Sequence, residues 1–189
     1  MLFRSELKAA NPFAALRPPA TGSGRIRSRS GGATRPGGGR RKVLYVCHNH
    51  PVLSPGGAEI YAWELYDAMR ASCEFEPILL ARSGSVVMQG RAIAPGSPLA
   101  TLPGDDHQFL LFTRTPDFDS FCLTSREEGG LARHFGAFLE EHRPEVIHFQ
   151  HTLFLGYDLI RQARESLPEA GIVHTLHEYL PICHQIGRA

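Results

Sequence analysis

Six histidines lie on or just after three short apolar runs of this chain, and that placement sets the chemistry open to it. His48 and His50 follow Val43–Cys47, His148 and His151 sit at the end of Glu145–Phe149, and His174 and His177 belong to the run at Ile172–Leu176. Imidazole can bind hydroxyls or move protons near neutral pH. As metal ligands the six are poorly patterned. There is no H-E-x-x-H pair, and no acid but Glu178 stands at ligand spacing. No metal is expected. Strand-end histidines also hydrogen-bond loop backbone and pack on apolar neighbours. Side chains alternate along a strand, so His148 and Gln150 should face one way while His151 takes the loop.

A second feature stands beside the first pair of histidines. The loop from His48 ends in Gly56-Gly57, and a helical pattern begins at once. Paired glycines let backbone approach a ligand, and a helix N-terminus offers free N–H groups and partial positive charge. Diphosphates and carboxylates suit such a place. A dinucleotide fingerprint is incomplete here, because the third glycine is missing and the second strand ends in Ala81-Arg82-Ser83 without an acid. Only Arg82 speaks for NADP. No G-x-x-x-x-G-K-[ST] loop exists. Glu59, in the first helical turn, favours the helix macrodipole. Cys47 reads as a small buried hydrophobe.

Elements that position these residues follow from periodicity. Strands are predicted at Val43–Cys47, Phe75–Ala81, His107–Thr113, Glu145–Phe149 and Ile172–Leu176. Helices are predicted at Ala58–Ala71, Ser125–His142 (stopped by Pro144) and Gly156–Ser166. In the first helix Ile60, Trp63, Leu65 or Tyr66, and Met69 should turn inward. Ser83–Pro103 is turn-rich, with a short strand around Val86–Met88. Strands alternating with helices predict an α/β fold, a Rossmann-like parallel sheet with helices on both faces. Ligands bind such sheets at the carboxyl ends of the strands.

Composition bounds the partners. The 189 residues suffice for one domain with a real core, and no apolar run nears the ~20 residues of a membrane-spanning helix. Net charge is +1, yet ten of the twenty Lys and Arg fall in residues 1–42 beside a single acid, Glu6. The remainder is acidic, which weighs against a nucleic-acid surface. Residues 1–41, rich in Arg, Gly, Ser and Pro, read as a disordered tail. A transit peptide or a basic arm fits their charge, but without apolar periodicity a linker fits better. Cys47, Cys73, Cys122 and Cys183 are too scattered for a disulfide framework or zinc ribbon and suit free thiols in a reducing cytoplasm.

Three segments taken together resemble the amino-terminal half of the family 4 glycosyltransferases. They are Val43–Cys47 with His50-Pro51 and Pro55-Gly-Gly-Ala-Glu59, then Pro144–His151 with Leu155-Gly156, then His174–Cys183. The resemblance spans residues 42–184 and implies the GT-B fold, two Rossmann-like domains facing across a cleft. It implies sugar transfer from a nucleotide-sugar donor to a glycan or lipid-linked acceptor with retention, without a bound metal or cofactor, in the cytoplasm or at the inner face of the membrane. Residues 42–189 would be the acceptor-side domain, cut before the donor-binding domain. Gly56 and Gly57 would face the donor. His151 or Gln150 would take the family's sugar-contacting place, because the usual H-x-H pair reads His148-Phe-Gln150 here. His50, His177 and Glu178 would line the acceptor cleft. A donor-binding domain in cis or trans would be required, and the 189-residue chain alone is expected to be inactive. The rival expectation is a non-catalytic remnant that binds sugar or nucleotide, or half of a split enzyme.

Overall fold

A computed structural model of the protein describes residues 39–84, 91–92, 97–102, 104–125 and 130–179. They belong to the compact unit Gly39–Ala189. The tail expected at residues 1–41 lies outside the described residues up to residue 38, as does the strand expected around Val86–Met88.

The chain runs β1 (Arg41–Cys47), α1 (Gly57–Ser72), β2 (Phe75–Ser83), β3 (Arg91–Ala92), β4 (Leu99–Leu102) and β5 (Asp105–Phe112). There follow β6 (Phe118–Asp119), β7 (Thr124–Ser125), α2 (Gly130–His142), β8 (Val146–Phe149), α3 (Asp158–Ser166) and β9 (Gly171–His174). Among the described residues seven strands form one sheet in the order β3-β4-β5-β2-β1-β8-β9, and β6 and β7 form a small separate ribbon. From β5 to β9 every pairing is parallel. The fold is thus α/β and Rossmann-like, with a mostly parallel sheet. The fully parallel sheet expected from the sequence needs one correction: β3 and β4 add an antiparallel edge against β5.

β1 is central because its residues are apolar on both faces. Leu44 and Val46 pack with Phe135, Phe138, Leu139, Leu159 and Ala163 from α2 and α3. Val43 and Tyr45 pack with Tyr66 of α1, and Trp63, Leu65 and Met69 cover them further. Alternation along the strand therefore puts α1 on one face and α2 with α3 on the other. From β1 the chain first winds outward through β2 to β5. It then returns through α2 to lay β8 on the opposite side of β1, with β9 beyond. The winding direction reverses between β1 and β8.

Element ends differ from expectation where the backbone turns early. Residues 126–129 are not described, and Ser125 pairs with Phe118 in the ribbon instead of opening α2. α3 starts at Asp158 because Gly156 holds φ +89, outside helical space. A side chain at Gly156 would also strike the Ser125 amide nitrogen, 2.8 Å from where its Cβ would lie. In α1 the buried positions are Glu59, Ala62 and Tyr66, so an acid takes an inward place that periodicity had assigned to apolar residues.

Phe135 is fully buried against Phe149, ring centroids 6.2 Å apart, at the centre of the larger core. Phe135→Ala should lower unfolding free energy in urea by about 3–5 kcal/mol.

Candidate functional site

The winding direction reverses between β1 and β8, and the carboxyl ends of strands at such a reversal are the place where open α/β sheets bind ligands. Sheet bonding carries on past both strands. The Gln150 amide donates to Val46 O at 2.8 Å, and the Thr175 amide donates to Phe149 O at 2.9 Å. Three loops therefore leave the carboxyl edge side by side, carrying His48, Gln150–His151 and His177–Glu178.

Glu59 organises the first loop. It reaches back from the first turn of α1 and is almost fully buried. Its Oε1 accepts from Asn49 Nδ2 at 3.1 Å and stands 3.0 Å from His48 Nε2. Its other carboxylate oxygen lies where a Cβ on Gly56 would be, so Gly56 is small to admit the acid. Asn49 Oδ1 in turn accepts from Arg82 at 3.5 Å. Arg82 is buried, donates to Thr113 Oγ1 at 2.6 Å and to Thr115 Oγ1 at 2.9 Å, and lies 4.6 Å from the Phe154 ring centroid. Burial lowers its pKa. Its guanidinium is engaged within the protein, which leaves the NADP role suggested by its position without support.

Across that reversal the His48 and His151 rings stand 4.5 Å apart, and His151 stacks with His177 at 6.4 Å and 10°. His151 Nδ1 accepts from the Leu153 amide at 2.9 Å, so its proton is on Nε2, which donates to Glu178 Oε1 at 3.0 Å. His177 Nε2 donates to Gln150 Oε1 at 3.1 Å. His148 shares a 2.8 Å hydrogen bond with Thr175 Oγ1. His151, Thr152, His174, Thr175, His177 and Glu178 line one open depression with Leu176. These groups can exchange hydrogen bonds with the hydroxyls of a ligand.

The expected site residues thus divide. His151, Gln150, His177 and Glu178 come together in one bonded cluster. Gly57 is at the exposed start of α1, and a Cβ there would meet nothing within 4 Å. Gly56 stands beside it, but its smallness answers to Glu59. His50, expected at the acceptor cleft, is fully buried instead. Its Nδ1 accepts from the Val52 amide at 3.2 Å, and its Nε2 donates to Gln108 Oε1 at 3.0 Å. Both ring nitrogens are used in tying the loop to β5. Residue type and periodicity do not mark His48 and Asn49 as partners of Glu59. The available signal was polar residues at a strand end followed by an acid in the first turn of the next helix.

Among the described residues no three His, Cys, Asp or Glu side chains are grouped to hold a metal ion. No described helix is long and apolar enough to cross a membrane. Burial pushes the Cys47 thiol up to about 12, which suits a packing residue and not a nucleophile. A scan against protein-family models and searches of curated proteins and of solved structures return no match to this chain.

Burial pushes His48 down to about 4, against the opposing pull of Glu59. Burial likewise lowers His50, His148, His174 and His177. Unfolded, each titrates near the ordinary 6.5, so the unfolded chain binds more protons below that pH. The stability held by neutral imidazoles is complete above pH ~6.5 and is lost as pH falls towards 4. Melting measured across this range should show a falling midpoint, with a shallower fall in His48→Gln. A midpoint that rises on acidification would contradict the neutral, buried imidazoles.

Proposed function

We propose that this chain is the acceptor-side domain of a retaining glycosyltransferase of GT-B architecture, using a nucleoside diphosphate sugar as donor. The observation that carries the reading is two kinds of surface at the carboxyl edge of one sheet. On one side an unobstructed glycine opens a helix of sixteen residues. On the other a set of histidines and amides offers hydrogen bonds fit for a sugar. The resemblance of three ordered segments to the family 4 glycosyltransferases supports the same reading.

In this account Gly57 lets the donor's diphosphate approach the N-terminus of α1, where N–H groups and the helix dipole favour negative charge. His151 and Gln150 hold the transferred sugar. His177 and Glu178 border the acceptor. Exposed apolar side chains add support for an acceptor with a lipid part: Val52 and Leu53 after β1, Phe121 between β6 and β7, and Leu176 and Tyr179 after β9. Diphosphate departure needs strong electrostatic stabilisation, usually the largest catalytic contribution. Arg82, the cation of the network, is committed to Thr113 and Thr115. In this account the basic groups come from a donor-binding domain, in cis or in trans.

Binding of UDP-, GDP- and ADP-linked hexoses to the chain tests the reading by calorimetry. At least one should bind, and Gly57→Val should weaken it about tenfold or more while leaving the melting temperature unchanged, since the new side chain enters open space. The chain alone should transfer no radiolabelled sugar to a glycan or a polyprenyl phosphate. Failure of every nucleotide sugar to bind would overturn the donor-site reading. Transfer by the chain alone would overturn the need for a second domain.

A further inference from the structure

The two side chains assigned to the transferred sugar are already occupied, and by one loop. Gln150 Oε1 accepts from His177 Nε2 at 3.1 Å, and His151 Nε2 donates to Glu178 Oε1 at 3.0 Å. His177 and Glu178 are consecutive, so a single stretch of backbone past β9 supplies both partners. Both ring nitrogens of His151 are in use. Its Nδ1 accepts from the Leu153 amide at 2.9 Å, and a neutral imidazole has one N–H and one lone pair. A ligand hydroxyl can reach Nε2 only after Glu178 has left it.

The loop is fastened at its start and loose beyond. Thr175 is tied twice: its amide donates to Phe149 O at 2.9 Å, and its hydroxyl shares a 2.8 Å hydrogen bond with His148 Nε2. From Leu176 to Tyr179 every residue is exposed, and these four line an open depression between them. The His177 ring lies along that of His151 and edge-on to Tyr61 of α1. The Glu178 side chain is half exposed, whereas that of His151 is only 11% exposed. One partner is thus built into the sheet edge and the other is not. A contact this open to water contributes little to stability, so it can be broken readily.

We propose that Leu176–Tyr179 is a strap that inhibits the site by occupying it. Glu178 and His177 stand where a sugar's hydroxyls would bond His151 Nε2 and Gln150 Oε1, and they leave before such a ligand binds. The chemistry matches: Glu178 supplies an acceptor and His177 a donor, the two functions that hydroxyls combine. Thr175 is the hinge, because its two bonds hold the loop's start to β8. Closure divides the apparent affinity by the fraction of open molecules. The inference rests on the placing of the transferred sugar at Gln150 and His151, and it requires no nucleotide.

Calorimetry on the full chain tests it by comparing the protein with Glu178→Ala. The probes are UDP-, GDP- and ADP-linked hexoses, the free nucleotides, and the methyl α-glycosides of glucose, galactose and mannose. Removing the carboxylate should tighten a sugar-bearing ligand about three- to fivefold, the range open to an exposed contact, and leave free nucleotides and the melting temperature unchanged. Stopped-flow mixing should place the gain in the association rate, since more molecules are open at any moment. Glu178→Gln keeps an acceptor oxygen and should gain less. If no sugar-bearing ligand binds the alanine variant more tightly, the strap falls. A nucleotide sugar that binds both proteins equally, or the variant more weakly, would sink the strap and leave the donor reading standing. Glycosides that gain while no nucleotide sugar binds would support the strap and sink the donor reading.

Discussion

The reversal of winding at β1 is the constraint on which the rest of this structure depends. A strand buried on both faces must send its chain outward in one direction first and have it return on the other side. Helices then cover opposite faces, α1 on one and α2 with α3 on the other. The loops after β1 and β8 leave the sheet at that reversal and meet through the rings of His48 and His151. The site is thus a product of topology, and the side chains gathered there are polar because backbone and ligand groups must be met there.

Burying polar groups at such an edge is tolerable only when they are joined to one another. Glu59 is joined to His48 and Asn49, Asn49 to Arg82, and Arg82 to two threonines and an aromatic face. Each member answers the desolvation of the next. A network of this kind fixes its side chains before any ligand arrives, which is what a binding site needs to avoid ordering costs on association. Among the described residues, the buried His48 Nδ1 and Gln150 Nε2 stand outside this set, on the loops after β1 and β8. The loop after β9 completes the arrangement through Glu178 and His177.

Much of the fold was legible because buried parallel strands are short, apolar and bounded by turn residues. Val43–Cys47 and Phe75–Ala81 fall within β1 and β2, since both faces of those strands are covered along most of their length and nearly every residue there is apolar. β4 was not legible. Leu99–Leu102 pairs with β5 through contacts that local sequence does not record, inside a segment dense in Gly and Pro. The ribbon of β6 and β7 has two residues to each strand, too few for periodicity to show. At the site, residue type pointed to the right loops but not to the right partners. His50 and His48 are two residues apart with the same chemistry, yet His50 turns into the core and bonds Gln108 while the His48 ring meets that of His151. Glu59 looked like an ordinary first-turn acid. Its burial follows from Gly56 and from the polar loop folding over it, and both are tertiary facts.

Backbone amide mapping by NMR, with a nucleotide sugar found to bind, tests most directly the claim that the winding reversal is the ligand site. The account predicts the largest perturbations in residues 48–59 and 150–153, with lesser ones near His177, and little change along β4. Perturbations centred on the antiparallel edge, or at the amino ends of the parallel strands, would contradict it.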